Sequence, residues 1–147
     1  MADRPLGIRN NDPGNLRKTA TPWLGKVAGA DPAFESFDTP VDGLRALMVD
    51  LLTAYRRHGL DTCQSILNRF APPFENDTLS YACDVAAVVG VGPQQTLVVS
   101  DPRILILLAK AIVRHENGAA WATYPYYWYD DALYTRACQM ALGLIAA

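Results

Sequence analysis

Residues 101–118 read DPRILILLAKAIVRHENG, and this stretch decides the fold class. Asp101-Pro102 is a pair that starts helices, and Asn117-Gly118 is a pair that ends them. Between them, four side chains step by three or four positions, which is the spacing of one helix face: Leu105, Leu108, Ile112 and Glu116. The stretch therefore predicts a helix whose apolar stripe ends on an acid.

Helical patterns also fill most of the chain around this stretch. Leu44, Leu47, Met48, Leu51 and Leu52 recur with helical spacing after a strong start signal. The predicted helices run from Thr39-Pro40 to Gly59, from Asp61 to Pro72, from Asp77 to Gly90, from Asp101 to Gly118, and over about 130–145. Because 147 residues suit one domain, residues 1–147 are predicted to form a single domain.

The N-terminal part of the chain has a different pattern. Residues 10–15 are dense in turn formers, so residues 1–20 are expected to be irregular. Residues 23–27 and 33–37 flank the turn-rich residues 28–32 in a hairpin-like arrangement. The predicted fold class is therefore mainly α, with a small β-hairpin near the N-terminus.

Composition and charge exclude several classes of function. The net charge is −2, which gives no electrostatic case for a nucleic-acid partner. No run reaches the roughly 18 apolar residues of a membrane span. No apolar leader follows Met1, so synthesis in the cytoplasm without a signal peptide is expected. The cysteine and histidine spacing suggests no metal site, and no cofactor is predicted.

Glu116 is the most informative single residue. It continues the buried stripe of its helix into the last turn, where the helix dipole disfavours a negative charge. Partial burial and this dipole end both favour the neutral carboxylic acid. A protonated acid is what donating a proton to a glycosidic oxygen requires. The alternative interpretation is an exposed glutamate at a frayed helix end.

A second acid and a set of aromatic side chains complete the candidate site. Glycosidases normally use two carboxyl groups, and the pattern does not choose among Asp31, Glu35, Asp38 and Glu75. Each of these acids has a plain structural alternative in a turn, a strand or a cap. The aromatics are candidate sugar-stacking platforms, with core or lid packing as the alternative: Trp23, Trp121, Tyr124, Tyr126, Tyr127 and Trp128.

Four blocks of sequence, in order, resemble a family of phage virion and prophage proteins. They are residues 7–17 (GIRNNDPGNLR), 34–40 (FESFDTP), 71–81 (APPFENDTLSY) and 111–118 (AIVRHENG). Members are usually described as structural proteins with lysozyme-like or lytic transglycosylase activity. The resemblance implies a lysozyme-like fold and a peptidoglycan substrate. Asn15 and Glu75 lie in these blocks and are predicted to bind that substrate.

A weaker similarity links the chain to glucosaminidases of the flagellar and autolysin type. The order of residues 10–17, 23–26 and 34–37 is kept, but the glutamate-bearing helix follows them instead of preceding them. This order resembles a circular permutation of a lysozyme-like core, and it favours Glu116 as the acid. Tyr81 is carried over from the same similarity as a residue that lines the site.

The resulting prediction is a peptidoglycan glycosidase or lytic transglycosylase. Glu116 is the catalytic acid, with Glu35 or Asp38, or the substrate's own groups, stabilising the oxocarbenium-like state. The enzyme would act in the periplasm or cell wall after delivery by a virion, a type VI secretion machine or lysis. The secretion-effector version predicts an immunity protein as partner. The alternative is a non-catalytic virion component or wall-binding module.

Overall fold

The computed structural model describes residues 4–118 and 127–146, and this part of the chain is mainly helical. Within it, six helices follow one another: α1 (Leu6–Arg9), α2 (Pro40–His58), α3 (Cys63–Phe70), α4 (Thr78–Val89), α5 (Pro102–Asn117) and α6 (Asp131–Ala141). The predicted mainly α class is confirmed. The single turn of α1 lies in a region predicted to be irregular, and α6 ends about four residues before its predicted end.

Local capping explains where the longer helices begin. The side chains of Thr39, Asp77 and Asp101 each accept a hydrogen bond from a backbone N–H in the first turn of their helix. The predicted start of α3 at Asp61 is wrong by one residue. Thr62 is the cap, because its hydroxyl and that of Ser65 form a reciprocal capping box.

The core lies between α2 and the four helices that follow it. The predicted stripe of α2 is buried, with Leu44, Leu47 and Met48 fully inaccessible. Helix α2 packs against α6 and α5, and α4 packs against α3 and α5. This packing sets α4 and α5 side by side, so that residues from both helices meet near the C-terminal end of α5.

The predicted β-hairpin does not form as regular strands in the described residues. Two isolated antiparallel bridges stand in its place, Arg17 with Phe34 and Lys26 with Phe37. Residues 33–38 divide their backbone hydrogen bonds between residues 16–18 and 25–27, and side-chain hydrogen bonds add to them. Lys26 Nζ reaches a carboxylate and two carbonyl oxygens, and Asp31 Oδ1 accepts from two backbone N–H groups. Residues 10–38 therefore form an irregular polar layer, here called the N-terminal layer, against the helices.

Membrane insertion was not expected from the sequence. In residues 4–118 and 127–146, none of the helices combines the length and the apolar character that a membrane crossing requires.

Candidate functional site

Glu116 lies in the last turn of α5 and is half-buried, as its stripe position predicted. Two side chains from distant parts of the chain hold its carboxylate. Tyr81 Oη donates to Oε2 at 2.7 Å across 35 residues of sequence. Asn15 Nδ2 donates to Oε1 at 2.9 Å across 101 residues. Each carboxylate oxygen therefore has one neutral donor, and the group is fixed in orientation while it keeps some access to solvent.

Tyr81 is the buried wall of this site. Only 2% of its surface is exposed, and its ring stacks on that of His115 with centroids 3.5 Å apart. Burial raises the pKa of Tyr81 well above 10, and the negative charge of Glu116 and the hydrogen bond to it add to the shift. Tyr81 therefore stays a neutral hydroxyl that donates to the carboxylate at all physiological pH values.

Asn15 reaches Glu116 from a loop that is tied to α5. Its φ of 50° is in the left-handed region, which asparagine tolerates better than most residues. Asn117 Nδ2 donates to the Pro13 carbonyl at 2.7 Å, and this hydrogen bond fixes the loop to the end of α5. A Cβ on Gly7 would lie 2.6 Å from Asn117 Oδ1 and 2.8 Å from Asn15 Oδ1. Glycine is therefore required at position 7 for these two amides to approach.

Asp12 is a buried acid beneath this loop that sequence reasoning missed. It is fully inaccessible, and its Oδ1 accepts a hydrogen bond from the Leu16 N–H at 3.0 Å. Desolvation raises the pKa of Asp12 from 3.8 to about 8, the Leu16 N–H opposes this, and the charges of Glu35 and Glu116 raise it further. Its position in a run of turn formers suggested only a turn, and no local signal indicates its burial.

Two grooves include residues that neighbour Glu116. The α4–α5 groove has a volume of about 520 Å³ and is lined by Asp84, Ala87, Val88, Ala111, Arg114, His115 and Tyr127. The N-terminal groove has a volume of about 400 Å³, and its lining includes Asn15, Arg17, Trp23, Asp50, Arg69 and Phe70. Glu116 lines neither groove itself, but a neighbour of it lines each one: His115 precedes it in the chain, and Asn15 donates a hydrogen bond to its carboxylate.

The proposed second acids lie elsewhere. Glu35 is fully inaccessible, and its Oε2 accepts from Lys26 Nζ at 3.1 Å and from the Thr19 N–H at 3.2 Å. Asp38 is exposed, and its backbone carbonyl accepts from Asn11 Nδ2. Among the described contacts, neither acid touches Glu116. The contacts of Glu35 are those of a structural ion pair, and the catalytic role of either acid stays a prediction.

The predicted binding residues are divided between the grooves. Trp23 and Asn15 line the N-terminal groove, and Tyr127 lines the α4–α5 groove. Glu75 is exposed and lies 3.7 Å from the Arg17 guanidinium. Trp121, Tyr124 and Tyr126 lie outside the described residues. Within those residues, no group of three or more acids, histidines or cysteines is arranged to hold a metal ion.

Comparison with known proteins relates the chain to a phage protein. No family model matches it. It is 35% identical over 122 residues to "Protein P5" of Pseudoalteromonas phage PM2, and the match covers 80% of this chain and 74% of the phage protein. The chain belongs to the protein P5 family. The phage-related part of the predicted resemblance is thereby confirmed, and its lysozyme-like part stays a prediction.

Proposed function

We propose that this member of the protein P5 family is a phage-borne peptidoglycan glycosidase or lytic transglycosylase with Glu116 as its acid. The observation that carries the proposal is the pair of long-range hydrogen bonds on the Glu116 carboxylate. An ordinary helix-end glutamate needs no such support. An acid that must meet one glycosidic oxygen does, because small errors in position cost large factors in rate.

The geometry suits both halves of a proton-transfer cycle. Glu116 donates its proton to the oxygen that bridges N-acetylmuramic acid and N-acetylglucosamine, and the bond to the leaving sugar breaks. Tyr81 and Asn15 then stabilise the carboxylate that remains. The same carboxylate takes a proton from water in hydrolysis, or from a hydroxyl of the muramic acid in transglycosylation.

The surroundings of Glu116 favour a mechanism with one protein carboxylate. Glu35 is sealed and neutralised by Lys26, and Asp12, whose charge couples to that of Glu116, is also inaccessible. Within the described residues, neither acid is positioned to touch a sugar. The substrate's own groups are then the better candidates for stabilising the oxocarbenium-like state, as in transglycosylation or substrate-assisted hydrolysis.

Delivery by a virion is the version that the phage relative supports. The enzyme would reach peptidoglycan in the periplasm or cell wall with the particle or after lysis. The type VI effector version requires an immunity protein as partner. Finding a cognate protein that inhibits the enzyme would therefore favour that version over delivery by a virion.

The test compares wild type with Glu116→Gln on purified peptidoglycan sacculi. Turbidity loss should fall by about 100-fold or more in the variant, the usual contribution of a general acid, while thermal unfolding stays close to that of wild type. Glu75→Gln tests the exposed glutamate of a neighbouring block as a rival acid. Asp130→Asn is the matched control, since Asp130 is an exposed acid that lines neither groove. Mass spectrometry of the released muropeptides identifies the reaction: anhydro ends mean transglycosylation, and a reducing end means hydrolysis at the sugar that carries it.

Two outcomes would overturn the assignment. Full activity in Glu116→Gln excludes Glu116 as the acid, and loss of activity in Glu75→Gln alone moves the role to Glu75. The rival function is a non-catalytic virion component or wall-binding module. In that case wild-type protein sediments with sacculi but releases no muropeptides.

A further inference from the structure

The N-terminal groove carries more positive charge than the chain as a whole would suggest. The net charge of the protein is −2. Nevertheless, two guanidinium groups, those of Arg17 and Arg69, line this groove against one carboxyl group, that of Asp50. Burial raises the pKa of Asp50, although the charge of Arg69 opposes the shift. The groove therefore has a local positive excess.

Both arginines are available to an anion. Arg17 is exposed and lies over the Phe34 ring at 5.0 Å, and its contact with Glu75 is 3.7 Å long between two largely exposed groups. Such a surface pair is weak and can be displaced. Arg69 is exposed and forms no ion pair with a carboxylate of the described residues. Arginine binds carboxylates by paired N–H donors, so these two side chains suit that ligand.

The remaining walls of the groove suit a sugar ring. Trp23 and Phe70 are both half-buried and pack on the small cluster of Leu16, Phe37 and Ala46. Each ring is thereby anchored on one side and remains partly accessible, the arrangement that stacking against an apolar sugar face requires. The groove also includes Thr19 and Thr21, whose side chains offer hydroxyl groups.

One residue joins this groove to the acid. Asn15 lines the groove and donates to Glu116 Oε1 at 2.9 Å. A glycan that lies in the groove would therefore contact the residue that holds the proposed acid. A backbone of N-acetylglucosamine alone carries no negative charge, whereas peptidoglycan carries carboxylates on muramic acid and on its stem peptides.

We propose that the N-terminal groove is a subsite for a carboxylate-bearing sugar unit of peptidoglycan, in which Arg17 and Arg69 bind the carboxylate and Trp23 stacks on the ring. The inference rests on the proposed peptidoglycan substrate and adds the feature by which the protein separates it from neutral N-acetylglucosamine polymers. The carboxylate belongs either to the lactyl group of muramic acid or to the stem peptide.

Calorimetric titration with three small ligands tests the proposal in the full chain. The ligands are chitobiose, the N-acetylglucosamine–N-acetylmuramic acid disaccharide with a free lactyl group, and the same disaccharide carrying its stem peptide. Mass spectrometry of the ligand after each titration verifies that it is intact. We expect at least one anionic ligand to bind about tenfold more tightly than chitobiose, the effect of one charge-assisted contact.

Matched arginine variants locate the contact. Arg17→Gln and Arg69→Gln should each reduce the preference for the anionic ligand, and the double variant should abolish it. Arg136→Gln removes an equal charge from the exposed face of α6 and should leave the preference intact. Tight binding of the peptide-free disaccharide assigns the lactyl carboxylate, and tight binding of the stem-peptide ligand alone assigns the peptide.

Three results would overturn the subsite: equal binding of all three ligands, a preference that survives in the double variant, or an equal loss in Arg136→Gln. The proposed glycosidase is judged separately. A preference that depends on Arg17 and Arg69, in a protein that releases no muropeptides, keeps the subsite and refutes the enzyme. Muropeptide release by a protein that shows no preference for anionic ligands supports the enzyme and refutes the subsite.

Discussion

Two glutamates, Glu35 in the N-terminal layer and Glu116 at the end of α5, have opposite environments, and only the second is proposed as a catalytic acid. Glu35 has both its partners on Oε2, from residues 9 and 16 positions away, and one of them is the ammonium of Lys26. Glu116 has one neutral donor on each oxygen, from elements 35 and 101 positions away. The first is sealed and neutralised, whereas the second is oriented and half-open. An acid that must exchange protons with a substrate needs the second environment.

Breaking the Glu35 pair should cause the largest loss of stability. Glu35→Gln leaves the Lys26 ammonium beside an amide in a site with no solvent access on the carboxylate side. We expect the free energy of unfolding to fall by about 3 kcal/mol, as when one partner of a buried pair is removed. Urea unfolding followed by circular dichroism measures the change.

Glu75→Gln is the matched control for this loss. It also removes one glutamate from an ion pair of the N-terminal layer, but the pair with Arg17 is exposed and 3.7 Å long. Its free energy of unfolding should change by less than about 0.5 kcal/mol. Equal losses in the two variants would mean that Glu35 is not distinguished by burial. Activity lost in folded Glu35→Gln protein would restore it as a second acid.

Asp12 sharpens the comparison, because it is a buried acid with no cation beside it in the described contacts. Its pKa is about 8 in the folded protein against 3.8 for an ordinary aspartate. Between these values the folded state holds a proton that the unfolded state has lost, so stability falls as the pH rises from about 4 to 8. Asp12→Asn mimics the protonated acid and keeps an oxygen for the Leu16 N–H. At pH 8 it should be more stable than wild type by several kcal/mol, since each unit of the raised pKa is worth about 1.4 kcal/mol.

The measurement is the urea midpoint of both proteins at pH 5 and pH 8. The urea midpoint of Asp12→Asn should exceed that of wild type slightly at pH 5 and by much more at pH 8. Asp31→Asn is the control, since hydrogen bonds from the Ala33 and Phe34 N–H groups lower the pKa of Asp31 and place its titration below this window. Its effect should therefore be the same at both pH values. A gap for Asp12→Asn that is constant with pH would refute the raised pKa.

The same contrast explains which features the sequence could predict. The signals that start and stop α2, α4 and α5 are short-range, since Thr39, Asp77 and Asp101 bond within their own first turns. The half-buried position of Glu116 followed from helix periodicity. The burial of Asp12 did not, because it depends on how the whole N-terminal layer packs against the helices. The regular hairpin was not found for a related reason: residues 33–38 divide their backbone hydrogen bonds between residues 16–18 and 25–27, which leaves one bridge to each segment.

Contacts between residues far apart in the sequence could not be predicted from helix periodicity either. No spacing rule connects Asn15 with Glu116. Their hydrogen bond depends on the left-handed conformation of Asn15 and on the hydrogen bond from Asn117 to the Pro13 carbonyl in the same loop. Tyr81 was reached only through a family resemblance. The structure adds the atom that it donates to and the His115 ring on which it stacks. Its predicted role in activity is still to be tested.

Tyr81→Phe tests whether the orientation of Glu116 matters, and it should have the smallest effect of the three variants. The substitution removes only the hydroxyl that donates to Glu116 Oε2 and keeps the ring on His115. If the hydrogen bond holds the acid in place, the turnover rate on sacculi should fall about tenfold, the value of one such bond to a charged group. The KM should change little, since the hydroxyl bonds to Glu116 and Tyr81 lines neither groove.

Tyr134→Phe is the control that separates orientation from stability. It removes the same atom from another buried tyrosine, whose hydroxyl donates to the Tyr127 carbonyl at 2.6 Å. Both variants should lose about 1 kcal/mol of stability, but only Tyr81→Phe should lose turnover. Equal turnover in the two variants would mean that Glu116 works without its tyrosine. The difference between Glu116 and Glu35 would then depend only on the hydrogen bond from Asn15 and on the solvent access of Glu116.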